Sequence, residues 1–130
     1  MTPDDRRYSV EHEWAKVEGD EVVVGITDFA QSQLGDVVYV ELPKVGDRVE
    51  QMKVMGVIES VKAASDLFSP VSGEVVAVND AVIDAPQKIN ESPYEEGWLI
   101  RVRPERLDEL NNLLSAAEYE RHISGQGTTG

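Results

Sequence analysis

A mainly β fold is the expectation from this sequence: a small antiparallel barrel or sandwich carrying short peripheral helices. Two observations carry it. Short runs rich in β-branched residues recur at close spacing between Gly, Pro, Asn and Asp turn signals, and no long helical crossover of the kind parallel strands require separates them. At 130 residues the chain is large enough for one domain with a modest core. The expected division is a flexible tail over 1–5, a single domain over 6–124 and a flexible tail over 125–130.

Along the chain, Ala15 to Glu18 and Glu21 to Ile26 read as a hairpin around Gly19-Asp20. Thr27 or Asp28 can cap a short helix through Phe29, Ala30 and Leu34, closed by Gly35. Val37 to Leu42 is the next strand, stopped by Pro43, and Gly46-Asp47 makes a turn. Arg48 to Ser60 reads as continuous β up to a small, polar segment, Lys62-Ala-Ala-Ser-Asp66, which marks a turn before the strand Gly73 to Val78. Asn79 to Gly97 is broken by Pro86 and Pro93 and reads as irregular, and Trp98 to Arg103 as a last strand. Leu107, Leu110, Leu113 and Leu114 recur at helical spacing, and Ser115-Ala-Ala-Glu118 has the form of a capping box, so two helices are expected near the C-terminus. Trp14 and Trp98 are expected as core anchors.

The charge is lopsided, with 25 Asp plus Glu against 12 Lys plus Arg and a net charge of -13. Such a surface repels a phosphate backbone and an anionic bilayer, which argues against nucleic-acid and membrane partners. No apolar run is long enough to span a bilayer, and the start Met1-Thr-Pro-Asp-Asp-Arg-Arg resembles neither a signal nor a transit peptide, so a cytoplasmic setting is expected. Cysteine is absent, which removes thiolate nucleophiles and thiolate metal sites together. His12 and His122 are too few for a metal cluster, and no Ser-His-Asp set, HExxH run or phosphate-binding loop occurs. Any sulfur chemistry must therefore arrive with a cofactor.

Lys62 is the residue that could carry one. It stands in a turn among side chains too small to hide it, which leaves its amine accessible to a modifying enzyme. Glu59 lies three residues before it, Pro70 eight after and Gly73 eleven after. Lys53, between Met52 and Met55, superficially suggests a biotin box. It is seventeen residues before Pro70 and inside an expected strand, so the methionines read as core gap-fillers.

The stretch Glu59-Ser-Val-Lys62-Ala-Ala-Ser-Asp66, with Ser69-Pro70-Val-Ser-Gly73-Glu-Val, resembles the lipoylation site of the glycine cleavage H-protein family, and its spacing fits the wider lipoyl and biotinyl pattern. His12-Glu13-Trp14, Val24-Gly-Ile-Thr-Asp28, Leu34 to Pro43, Val45-Gly46-Asp47, Ser92-Pro-Tyr94 and Gly97-Trp98 resemble further segments of that family in the same order. Phe29, Lys88 and Glu95 depart from its usual pattern. The resemblance implies a flattened β-barrel with quasi-symmetric halves, lipoate covalently attached to Lys62, and Glu13 and Asp66 beside a cavity that receives the arm carrying an aminomethyl group. It implies recognition roles for Glu59 and Gly73 during lipoylation. The implied partners are glycine decarboxylase (the P protein), aminomethyltransferase (the T protein), dihydrolipoamide dehydrogenase (the L protein) and lipoate-attaching enzymes. On this reading the chain is a carrier, not an enzyme. A lipoyl domain or lipoate relay for 2-oxo acid dehydrogenase complexes is the alternative, disfavoured by the extra N-terminal hairpin and C-terminal helices.

Overall fold

The computed structural model describes residues 2–127, the side chains as far as residue 125. Among the described residues nine strands form two antiparallel sheets. The larger contains β1 (Arg7–Tyr8), β2 (Glu13–Glu18), β3 (Glu21–Ile26), β9 (Ile100–Pro104), β8 (Gly73–Val78) and β5 (Arg48–Val49), in that spatial order. The smaller contains β4 (Val37–Glu41), β6 (Val54–Ser60) and β7 (Ala64–Phe68). The expected sandwich with peripheral helices is therefore present, as two separate sheets rather than a closed barrel. Val22, Val24, Ile58, Leu67, Val75, Ile100 and Val102 from both sheets share one core. Burying such side chains stabilises the fold by roughly 1.5–3 kcal/mol each.

The β2–β3 hairpin turns at Gly19, whose φ of 64° suits glycine. Helix α1 (Asp28–Leu34) starts where Thr27 Oγ1 accepts the Ala30 N–H at 3.1 Å and ends at Gly35, φ 82°. A second, aromatic core of Tyr8, Trp14 and Tyr119 ties the N-terminus to α4 (Ala116–Gly127). Tyr8 and Tyr119 stack at 4.8 Å, and the Arg6 guanidinium lies 4.7 Å over Trp14. The capping box forms as expected: Ser115 N–H donates to Glu118 Oε1 at 2.8 Å, and Glu118 N–H to Ser115 Oγ at 3.2 Å.

Several expectations need correcting. Arg48 to Ser60 is not one strand: a turn with Met52 at φ 62° separates β5 from β6 and sends them to different sheets. Lys53 consequently lies exposed in that turn rather than inside a strand. The hairpin partner of β6 is β7, so Ala64, Ser65 and Asp66 are strand residues and the turn is only Val61 to Ala63. Their low β-propensity is overridden by pairing with a strong neighbour, Ile58 opposite Ser65 and Val57 opposite Asp66. The segment after Val78 is not irregular but holds α2 (Asp80–Asp84), capped by Asn79 Oδ1 on the Ala81 N–H at 3.2 Å, and α3 (Gln87–Glu91). Leu107–Asn112 is a 3-10 helix, and its glutamate Glu109 clamps Ser72 through both carboxylate oxygens. Trp98 is half-buried against the aromatic core instead of fully enclosed, with Arg101 5.6 Å over its ring. Residues 125–127 close α4, and 128–130 lie outside the described residues.

Candidate functional site

Lys62 projects from the tip of the β6–β7 hairpin. The tip is closed by Ser60, whose N–H donates to Ala63 O at 2.7 Å and whose Oγ accepts the Ala63 N–H at 3.1 Å. Serine does this because its short hydroxyl reaches neighbouring backbone groups and substitutes for them. Val61, Lys62, Ala63 and Ala64 are all exposed. The amine is thus open to solvent on a backbone held by hydrogen bonds, the presentation expected of Lys62.

Beside the hairpin is a cavity of about 460 Å³ between α1, the start of β2 and β7. Ile26, Phe29, Leu34, Ile58 and Leu67 supply apolar wall, and Glu13 and Asp66 both line it. The two carboxylates expected to act together, 53 positions apart in the chain, therefore meet at one concavity. They differ in environment. Asp66 is exposed on β7, whereas Glu13 is 1% exposed.

Glu13 sits where a tight turn enters β2. His12 takes φ 76°, uncommon for a non-glycine residue, and donates its N–H to Ser9 O at 3.1 Å. Ser9 Oγ accepts the N–H groups of Glu11 and Glu13 at 3.2 and 3.1 Å and donates to Glu13 Oε1 at 2.5 Å. Phe68 N–H reaches Glu13 Oε2 at 3.2 Å. Both carboxylate oxygens accept hydrogen bonds, and neither meets a basic side chain in an ion pair among the described residues. Burial pushes the Glu13 carboxyl up to about 8, with Ser9 and Phe68 opposing it. A cationic amine placed in the cavity would favour the ionised form of this carboxyl.

Two further expected residues lie away from this cavity wall. Glu59 is exposed on β6, opposite Tyr39 and Ala64, one strand residue from the hairpin tip. Gly73 belongs to the other sheet, where a Cβ would collide with the Arg103 carbonyl oxygen, so close strand packing alone requires glycine there. Sequence reasoning missed Ser9, Ser60 and the wall residues Phe29 and Leu34 as parts of the site. The S-x-x-x-E spacing of Ser9 and Glu13 was visible, but only the positive φ of His12 folds the serine back onto the glutamate. Histidine 12 itself lines the cavity, its Nδ1 2.8 Å from Tyr119 Oη, which also meets Thr27 Oγ1 at 2.7 Å. This joins α4 to the cavity wall. Among the described residues no group of three potential metal ligands occurs, and no helix is long and apolar enough to cross a membrane.

The model of the glycine cleavage H-protein matches residues 6–126. The chain belongs to the glycine cleavage H-protein family. A glycine cleavage system H protein from Anaeromyxobacter sp. (strain K) is 56% identical over 124 residues, covering 95% of this chain and 97% of the relative. A probable glycine cleavage system H protein from Natronomonas pharaonis is 57% identical over 122 residues, covering 94% of this chain and 96% of the relative. The crystal structure of a glycine cleavage system H protein from Mycobacterium marinum superposes with a TM-score of 0.87 at 43% identity, covering 94% of this chain and 98% of that one.

Proposed function

We infer that this H-protein family member is the lipoyl carrier of glycine cleavage, with lipoate in amide linkage to Lys62 Nζ. The observation that supports this most directly is the placement of an exposed, hairpin-borne lysine beside a cavity walled by apolar side chains and ending in a buried carboxyl. The residues fit the group: the small side chains Ala63 and Ala64 leave room for a long acyl arm, and Ile26, Leu34, Ile58 and Leu67 offer it apolar contact. When bound, the lipoyl group supplies a disulfide that accepts an aminomethyl unit together with electrons.

The protein residues bind and shield. Glu13, held by Ser9 and Phe68, faces the cavity as an acceptor, and a cationic amine beside it would draw the carboxyl back to its ionised form through a charge-assisted hydrogen bond. Asp66, at the exposed side, adds a second negative charge. Phe29 and Leu34 on α1 restrict water on the opposite wall. No step of bond making falls to a side chain of this chain; it serves as the carrier. The proposed partners are a glycine decarboxylase, an aminomethyltransferase, a dihydrolipoamide dehydrogenase and the lipoate-attaching enzyme, each of which would approach an acidic surface.

The test is lipoylation followed by glycine-dependent carbon dioxide exchange with a glycine decarboxylase. Wild type is expected to gain one lipoyl mass on the peptide containing Lys62 and to support exchange. Lys62→Arg is expected to do neither. A lipoyl group mapped to Lys53 or Lys44, or efficient acyl acceptance from a 2-oxo acid decarboxylase with a silent glycine reaction, would overturn the reading.

A further inference from the structure

Asn90 on α3 lies outside the cavity, yet its side chain ties together three points of the α1–β4 junction. Val37 N–H donates to Asn90 Oδ1 at 2.9 Å, and Asn90 Nδ2 donates to Gly35 O at 2.8 Å and to Gln31 Oε1 at 2.9 Å. A backbone N–H can only donate, so Val37 sets the orientation of the amide and leaves both Nδ2 protons for the two acceptors. The junction in turn holds the lysine hairpin. Val61 N–H donates to Asp36 O at 3.0 Å, and Val37 is the register partner of Ser60.

Gly35 adds a steric element. A Cβ built there would stand 3.2 Å from Lys62 Cε, 3.8 Å from Cδ and 3.9 Å from Nζ. The stem of Lys62 therefore lies across the bare face of Gly35, at the end of the helix that walls the cavity. Val61 and Lys62 are both exposed, so no side-chain packing orients the tip from above. Beside its strand pairing, the tip rests on the junction beneath it, and Asn90 bonds the helix end and the strand start of that junction together.

We propose that Asn90 is a positioning residue for the arm-bearing lysine, acting through the Gly35–Val37 junction to aim the hairpin tip and to root the Lys62 stem on the α1 side. This rests on the reading of Lys62 as the attachment point. The junction presents the amine to the attaching enzyme in one orientation, and after attachment it starts the arm on the cavity side.

The test uses the full chain with Asn90→Ala and Gly35→Ala. In Asn90→Ala, amide hydrogen exchange at Val61 should rise about fivefold or more, the loss of a hydrogen bond, while Val75 and Val102 stay within about twofold of wild type. Lipoylation by a lipoate-protein ligase with lipoate and ATP should lose about fivefold or more in kcat/KM, by the same arithmetic. Acetylation of Lys62 by acetic anhydride, read by peptide mass, should be unchanged because the amine remains exposed. Gly35→Ala, which leaves Asn90 in place, strains the φ of 82° at the same junction and crowds the Lys62 stem, so it should slow lipoylation and speed Val61 exchange as well. Asn90→Asp keeps the acceptor for Val37 but sets a carboxylate oxygen against Gly35 O, so its losses should equal or exceed those of Asn90→Ala; Asn90→Ser, which keeps one short hydroxyl, serves if Asn90→Ala fails to fold. Lipoylation unchanged in these variants, with wild type modified at Lys62, would overturn the proposal. So would losses that track faster exchange at Val75 and Val102, since Asn90 would then act on general stability. If wild type takes no lipoyl group at Lys62, the carrier reading falls; Val61 exchange then still decides whether Asn90 holds the hairpin, and unchanged exchange refutes it.

Discussion

Replacing Glu13 by glutamine should change the shape of the stability curve with pH, not merely its height. Burial raises the Glu13 carboxyl from an ordinary 4.5 to about 8. Between those values the folded chain holds a proton that the unfolded chain has lost. The folded-state value is the higher one, so the associated stability is fully present below pH 4.5 and is lost as pH rises through 8. The slope is about 1.4 kcal/mol per pH unit, which amounts to about 3 kcal/mol from pH 5 to pH 7.5. Glutamine cannot ionise, so this loss is absent from Glu13→Gln. Its amide carries two hydrogens where the protonated acid carries one, so it turns a further N–H toward Ser9 Oγ or the Phe68 N–H, and that mismatch costs about 1–3 kcal/mol at every pH. The variant should therefore be less stable than wild type at pH 5 and draw level with it or pass it by pH 7.5. Urea unfolding of the unlipoylated proteins across that range measures the difference, in which the contributions of the other carboxylates cancel. Parallel curves would refute the reasoning and mean that Glu13 is ionised throughout, held by its two donors despite burial.

The same residue should matter to the loaded carrier. Glu13→Gln should shorten the lifetime of the amine-bearing arm, followed by ammonia release, by about tenfold if the charge-assisted contact contributes ~1.5 kcal/mol. Asp66→Asn should shorten it less, by about twofold, because water screens an exposed carboxylate. Equal lifetimes in both variants would make these ordinary charges. The two residues expected to act in recognition should separate in a different way. Glu59→Gln should slow lipoylation with the melting temperature unchanged, since Glu59 is exposed. Gly73→Ala should lower stability by about 3 kcal/mol or more, as expected when backbone must shift to admit a side chain. A stable Gly73→Ala protein that resists lipoylation would instead show direct recognition at that position.

Much of the architecture was legible because local chemistry and tertiary structure agree there. Gly19-Asp20 marks a hairpin whose turn needs a left-handed residue, Thr27 and Gly35 bracket α1, and Ser115 with Glu118 closes the reciprocal cap that the spacing announces. Where they disagree, the sequence misleads. Ala64-Ser-Asp66 looks like a turn and is a strand, because β6 supplies a complete row of partners. Asn79 to Gly97 looks irregular because its helices are only five residues each, too short to display a period.

The sequence by itself determined the family, the accessible lysine and the acidic balance of charge. These depend on residue identity, on spacing along one turn and on composition, all local or additive properties. The tertiary structure alone decided that Glu13 loses its water while Asp66 keeps it, that Ser9 folds back onto Glu13, and that Gly35 and Asn90 from different helices underlie the Lys62 hairpin. Burial and hydrogen-bond partnership arise from segments far apart in the chain, and a carboxylate's behaviour is set by those surroundings rather than by its neighbours in sequence.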